Sequence, residues 1–319
     1  MKIVVTGGSG YIGARLCQYL ANKGEEVIPV CFSSVPKNEN WKSKMFAILQ
    51  GDIKQEETVA KIAEIKADVV IHLVSLDHHD SEKEPGLVND VNVLPTWRLL
   101  DACTKKGLKK FIYFSTIQVY GKLPNIIIDE TYPSNTGNAY GLTHHLSEQI
   151  CDHYNRKTAT NVISVRLSNS YGNPIFNENN CWWLAINNLC KNAFINKEIR
   201  LLSDGTPQRD FIHGNDVCKA IHCLINTDEK LIDNTYHISS GETVTLMELA
   251  QIIKKEFQLR YNQSLPIVTP DGIINEKKLN CSLEKYTIDN NKLQTLGYFP
   301  DYSLSQGVNE LFSYLENKY

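Results

Sequence analysis

Apolar and polar positions alternate in two rhythms over the first half of the chain. Residues 2–6, KIVVT, form a short β-branched run that stops at glycines. Behind it, YIGARLCQYLANKG places Ile12, Leu16, Tyr19 and Leu20 at helical spacing and ends on Gly24, which suits a helix C-terminus. EVIPVCF and FAILQGD read as two further strands, followed by a polar helix from about Gln55 to Ile65. ADVVIHLVS is a near-continuous apolar run and predicts a buried strand. LVNDVNVLPTWRLLDACTKKG predicts a long helix closed by Gly107, with Pro95 as a kink or as its true start. KKFIYFST predicts the next strand, the segment holding Tyr140 the next helix, and TNVISVRLS a sixth strand.

Strands that are apolar on both faces and alternate with helices belong to a parallel sheet covered on both sides. Such sheets take ligands at the carboxyl ends of their strands. After about Ser170 the rhythm breaks, and Gly, Pro and Asn gather in YGNPIFNENN and SDGTPQRD. Residues 1–170 therefore read as one domain, with 214–235 (GNDVCKAIHCLIN and its exit) returning to it. Residues 171–213 and 236–319 read as a smaller C-terminal α/β lobe for substrate.

Composition narrows the classes. Of 319 residues, 42% are hydrophobic and 22% charged, enough for a large buried core. A net charge of −3 without a long basic run argues against nucleic acid as a partner. The opening MKIVVTGGSG does not read as a signal peptide, and no apolar stretch approaches a membrane span. Nine scattered cysteines without a Cys-x-x-Cys pair read as free thiols of a cytoplasmic protein. The cluster Asp77-His78-His79-Asp80 reads as a polar or substrate-facing loop, with no metal expected. Trp182 and Trp183 are expected to start a helix of the lobe, with core packing as the default and one of them a candidate neighbour for a nucleotide base.

The loop TGGSGYIG carries the first chemical signal. Gly7, Gly10 and Gly13 recur every third residue between a strand and a helix. Glycine permits the turn, lets a pyrophosphate approach backbone N–H groups, and lets helix and strand pack closely. Position and spacing predict dinucleotide binding and a Rossmann-type doubly wound sheet. The second strand should end on a carboxylate if the adenosine ribose keeps its 2′-hydroxyl free. Here VIPVCFSS offers none, while Ser33, Ser34 and Lys37 suit a 2′-phosphate, so NAD(P) is expected with NADP(H) slightly favoured.

With these residues in view, the chain resembles the extended short-chain dehydrogenase/reductase family, in its nucleotide-sugar epimerase, dehydratase and reductase group. TGGSGYIG, GDI, VVIHLVS, NVLPT, FIYFSTIQVYG, AYGLTH, VRLSNSYGNP, DGTPQRDFIHGNDV and YHISSGETVTLMELA carry the resemblance in order along nearly the whole chain. It implies a cofactor set of Gly7, Gly10, Tyr11, Ile12, Gly13, Asp52, Ile53, Leu73, Ser75, Asn92, Tyr140 and His144. It implies Tyr140 as general acid/base, Thr116 as the hydroxyl that orients the sugar oxygen, and Ser115, Thr116, Asn169 and Arg209 as substrate contacts. An arginine suits a diphosphate because its guanidinium gives paired, charge-assisted bonds. The resemblance further implies a nucleotide-diphosphate sugar as substrate, a role in polysaccharide biosynthesis, and a homodimer through helices around 87–106 and 138–156.

Two departures from the family pattern direct the chemistry. Where its 4,6-dehydratases carry an acidic pair, this chain has Ile117 and Gln118, so dehydration is not expected. Where the family places a lysine four residues after the tyrosine, this chain has His144, on the same helical face as Tyr140. A charge ~5 Å from the phenol at an effective dielectric of ~20 is worth roughly 3 kcal/mol, or about two pKa units. A mostly neutral imidazole gives that up. Alcohol oxidation needs Tyr140 as a base, whereas ketone reduction needs it as the protonated acid it already is. The expected function is hydride transfer at a sugar ring carbon, C4 by preference, by a keto-sugar reductase. The alternatives are a nucleotide-sugar 4-epimerase and, in another class, a catalytically weak cofactor-binding sensor.

Overall fold

The N-terminal β-branched run becomes strand Lys2–Thr6 near the centre of a seven-stranded sheet. The computed structural model describes residues 1–227, 230–231, 233–273 and 284–319. Across the sheet the order is Thr235–Ile238, Asn161–Leu167, Lys110–Thr116, Val69–His72, Lys2–Thr6, Glu26–Cys31 and Leu49–Gln50. Every neighbouring pair runs parallel. Lys110–Thr116 and Asn161–Leu167 are buried at every position, which is why they read as unbroken apolar runs.

Period-two alternation sends the two faces of each strand to different cores. Ile3 and Val5 pack with Leu16, Leu20, Val217 and Ile221 from helices Tyr11–Asn22 and Gly214–Ile225. Val4 and Val70 pack instead with Ile62, Leu99, Leu100 and Cys151 from helices Glu56–Glu64, Leu94–Thr104 and Ala139–Lys157. Lys110 secures the returning helix: its buried ammonium donates to the carbonyls of Leu224 and Ile225 at the helix end.

Several expected boundaries move. The long helix is two helices, Pro85–Asn92 and Leu94–Thr104, separated at Val93. Pro95 has no N–H to give the carbonyl of residue 91, and its ring crowds that carbonyl, so the helix restarts there. FAILQGD yields only the edge pair Leu49–Gln50. The large sheet extends past residue 235, because Thr235–Ile238 pairs with Ser164–Leu167. Trp182 and Trp183 precede the helix Ala185–Asn196 rather than start it.

Beyond the sheet, Asn169–Tyr171, Gln208–His213 and Thr243–Thr245 form a three-stranded sheet. Helices Ala185–Asn196, Leu246–Tyr261 and Leu304–Lys318 enclose a further core around Phe257, Leu311 and Phe312. Capping boxes at Thr245/Glu248 and Ser303/Gln306 start the last two. The eight cysteines among the described residues are free, and Cys281 lies outside those residues. Among the described residues no helix is long and apolar enough to cross a membrane.

One buried ion pair fastens the helix Ala139–Lys157 to the sheet. Arg166 Nε and a terminal guanidinium nitrogen donate to the two carboxylate oxygens of Glu148 at 3.0 and 2.8 Å. Ser115 Oγ donates to the same carboxylate at 2.6 Å, and Arg166 also donates to Tyr120 Oη at 2.7 Å. Removing one partner of such a pair strands a buried charge, at a cost of about 3–5 kcal/mol. Arg166→Met is therefore expected to lose about that much in urea denaturation, and Glu148→Gln combined with it to recover part of the loss. Wild-type stability in the single variant would contradict this assignment.

Candidate active site

The strands end in a row of loops at one edge of the sheet, where Gly7 and Thr116 lie. Gly7 turns with φ +71°, in the region that glycine tolerates. A methyl group at Gly13 would stand 2.1 Å from the Gly7 carbonyl oxygen, and one at Gly8 would stand 2.4 Å from Pro29 Cβ. Helix Tyr11–Asn22 starts at Gly10 with no side-chain cap, so its first-turn N–H groups keep their bonding capacity. A glycine cradle beneath an uncapped helix N-terminus fits a dinucleotide pyrophosphate. Tyr11 joins through its backbone position only, because its hydroxyl donates to the Gly172 carbonyl at 2.8 Å. Ile12 follows it in the same turn.

The adenosine end is built from the second and third strands. Glu26–Cys31 runs out into Phe32, Ser33, Ser34 and Lys37, with Phe32 64% exposed and no carboxylate among them. Asp52 accepts the Lys54 N–H at 2.9 Å in a tight turn, and Ile53 is buried beside it.

At the other end, Tyr140 stands in the first turn of helix Ala139–Lys157. Asn138 caps that helix by accepting the Gly141 N–H at 2.7 Å, and Gln118 Oε1 holds the Asn138 amide at 3.1 Å. Burial pushes the Tyr140 hydroxyl up to about 12; the Ser75 and Thr116 hydroxyls pull it down, and the Asp77 carboxylate adds to the rise. Tyr140, Thr116 and Ser75 are thus brought to one point. Thr116 Oγ1 accepts the Gln118 N–H at 3.2 Å and caps the turn that follows its strand.

His144 lies beneath Tyr140, with ring centroids 4.5 Å apart in an edge-to-face contact. It is 2% exposed, and its Nδ1 is bonded to Tyr113 Oη at 2.8 Å. Burial lowers its pKa to about 4, against the opposing pull of Glu148 and the Phe114 carbonyl, so the imidazole is neutral at physiological pH. Its Nε2 is buried and has no hydrogen-bond partner among the described residues.

The remaining expectations divide. Asn92 is fully buried: its side chain accepts the Leu76 N–H at 2.8 Å and donates to Thr143 Oγ1 at 3.0 Å. It therefore binds the loop after Val69–His72 to Tyr140's helix rather than facing the cleft. Leu73 is held by the Thr6 hydroxyl at 3.3 Å. Ser115 is turned inward to Glu148, away from the substrate position expected for it. Asn169 donates its amide to the Asp210 carbonyl at 2.8 Å. Arg209 is exposed and makes no ion pair among the described residues. Its neighbour Asp210 is buried and accepts from Ser168, Ser240 and Gly241, so the two do not form a local pair. Among the described residues no group of three or more His, Cys, Asp or Glu is placed to hold a metal ion.

The model of the NAD dependent epimerase/dehydratase family matches residues 3–239. The chain belongs to that family. It is 26% identical to dTDP-glucose 4,6-dehydratase of Streptomyces antibioticus, over 97% of this chain and 90% of that one. It is 25% identical to UDP-glucose 4-epimerase of Rhizobium meliloti, over 95% and 94%. The crystal structure of UDP-glucose 4-epimerase from Thermotoga maritima with UDP-glucose superposes with a TM-score of 0.83 at 24% identity, covering 100% and 99%. UDP-glucuronic acid 4-epimerase from Bacillus cereus, with UDP-glucuronic acid and NAD, gives 0.81 at 24% identity over both whole chains.

Sequence reasoning missed the support beneath the site of this family member. His72 is fully buried and bonded to Thr6 Oγ1 at 2.7 Å, and burial lowers its pKa to about 3. His237 meets Tyr120 Oη at 2.5 Å, and burial lowers it to about 4. Burial alone would raise Glu148, but His145, Arg166 and Ser115 override it and hold that carboxyl down at about 2. The signals were present: a charge in VISVRL and a histidine in VVIH each demand a buried partner.

These three histidines make stability depend on pH. Each has a folded pKa below the unfolded value of about 6.5, so acid protonates the unfolded chain first. Stability is full above about 6.5 and falls by about 1.4 kcal/mol per histidine per pH unit below it, until the folded values are reached. Denaturant midpoints at pH 7.5 and 5.5 are expected to differ accordingly. Equal midpoints would show that the imidazoles are not held neutral.

Proposed function

We propose that the chain is an NAD(P)-dependent enzyme that acts on a nucleotide-diphosphate sugar by hydride exchange at a ring carbon, C4 by preference, and that it works as a keto-sugar reductase. The observation that carries the direction is the setting of Tyr140. Its hydroxyl has Ser75 and Thr116 beside it, a neutral His144 beneath it, and no cationic side chain among the groups that shift it. Such a phenol holds its proton at neutral pH and can give it to a carbonyl oxygen. Oxidising an alcohol would need the phenolate, which this setting disfavours.

Gly7, Gly10 and Gly13, with the first turn at Tyr11 and Ile12, would hold the pyrophosphate. Asp52 and Ile53 would border adenine, and Leu73 and Ser75 the reactive ring. The dinucleotide, when bound, supplies or takes the hydride. The second strand ends without a carboxylate, which favours NADP(H), although NAD is what the Bacillus cereus relative holds. Arg209, which makes no ion pair among the described residues, suits the substrate diphosphate, with Asn169 nearby on the adjoining strand. Thr116 orients the sugar oxygen and Tyr140 protonates it. Dehydration is disfavoured because Ile117 is apolar and Gln118 is spent on Asn138.

A 4-epimerase is the second reading, favoured by the likeness to UDP-glucose 4-epimerases. The test supplies 4-keto nucleotide sugars with NADPH or NADH, and hydroxy sugars with the oxidised forms. Reduction is expected to outrun oxidation at neutral pH, and Tyr140→Phe to lose about 100-fold or more. His144→Lys is expected to raise the oxidative rate and shift its optimum to lower pH. Interconversion of 4-epimers without net reduction would decide for the epimerase. Binding without turnover, unchanged in Tyr140→Phe, would decide for a binding protein.

We also propose a homodimer. Trp97, Leu142 and Leu146 lie exposed on helices Leu94–Thr104 and Ala139–Lys157, an apolar face suited to a second copy. Leu146→Glu is expected to sediment as a monomer and the wild type as a dimer. A monomeric wild type would contradict this.

A further inference from the structure

The loop after strand Val69–His72 does more than border the cleft. It is fastened at two points to the start of Tyr140's helix. Asn92 links Leu76 to Thr143, and the Ala139 N–H donates to Glu82 Oε1 at 2.6 Å. Between these anchors lie Asp77, His78, His79 and Asp80. Asp77 Oδ1 accepts the N–H groups of His79 and Asp80, both at 2.9 Å, which holds the carboxylate while among the described residues Oδ2 has no hydrogen-bond partner. Lys83 is bonded to Asp80 at 2.6 Å and also feels the Asp77 carboxylate, though among the described residues no cation forms an ion pair with Asp77. The His78 ring meets the ring of Trp183 at 5.9 Å, joining this loop to the segment before helix Ala185–Asn196. An exposed carboxylate held by its own turn thus stands on the loop fastened to the start of Tyr140's helix, beside the contact between His78 and Trp183.

We propose that Asp77 is a specificity-determining residue that admits nucleotide-linked sugars carrying hydroxyl or amino substituents and rejects hexuronates. This rests on the nucleotide-sugar reading of the site. A fixed carboxylate accepts hydrogen bonds from a hydroxyl or an ammonium group. A uronate would bring a second negative charge close to the same carboxylate, where like charges repel, most at low salt. That Asp77 acts electrostatically at the Tyr140 hydroxyl is consistent with the carboxylate's part in raising its pKa.

The test is titration calorimetry on the full chain at low salt, with UDP, dTDP, UDP-glucose and UDP-glucuronate as probes. Binding is measured instead of turnover, so a silent redox step does not hide the answer. Wild type is expected to bind UDP-glucose about tenfold or more tighter than UDP-glucuronate, and added salt to narrow the gap. Asp77→Asn keeps the Oδ1 acceptor, and Asp77→Ser keeps a capping oxygen, so the turn survives in both. Each is expected to bring the two affinities within about threefold, mainly by tightening UDP-glucuronate. Equal affinities in wild type, or a gap unchanged in both variants, would overturn the proposal. Failure of all four probes to bind would overturn the nucleotide-sugar reading itself, and this inference with it.

Discussion

The contact between the Tyr140 phenol and the His144 imidazole governs how the rest of the site can work. A cationic side chain at position 144 would draw the phenol toward ionisation. A buried, neutral ring does not, and it is kept neutral by its own burial, 2% exposed between its helix and the sheet. Tyr113 occupies its Nδ1, so that nitrogen is not free for a ligand. Whatever charge a bound dinucleotide brings, the described residues add no positive charge among the groups that shift the tyrosine.

That contact holds only because the helix carrying both residues is fixed in place. Asn138 and Gln118 set its first turn, Asn92 and Thr143 tie it to the neighbouring loop, and Glu148 locks it to Arg166 on the sheet. Each restraint is a satisfied polar group in a dry environment, where an unsatisfied one would be costly. The same restraints hold the loop 76–82 against the start of that helix, so that Tyr140 and Asp77 depend on one scaffold.

Much of this was legible in the sequence. The two-sided apolar runs announced a covered parallel sheet, and the spacing of Gly7, Gly10 and Gly13 announced the cradle that a methyl group at Gly13 would fill. Tyr140 and Thr116, 24 positions apart in the chain by the difference of their numbers, do meet at one hydroxyl cluster. What periodicity could not give was the direction in which polar side chains turn. Ser115 and Thr116 are adjacent in a strand and so face opposite ways, one to Glu148 and one to Tyr140. Asn92 resembled a cleft residue and proved to be an internal brace, because its helix ends just before the Pro95 break. The return of Thr235–Ile238 to the large sheet depends on a long-range pairing that no local window contains.

The central claim is that Tyr140 stays protonated at neutral pH with its neighbour uncharged. The most direct measurement is the NMR titration of a carbon-13 label at the phenol carbon of Tyr140, assigned by its loss in Tyr140→Phe, with and without bound dinucleotide. A signal that remains that of a neutral phenol through pH 9 in both states is the expected result. Ionisation with a midpoint near pH 7 in the dinucleotide-bound protein would contradict it.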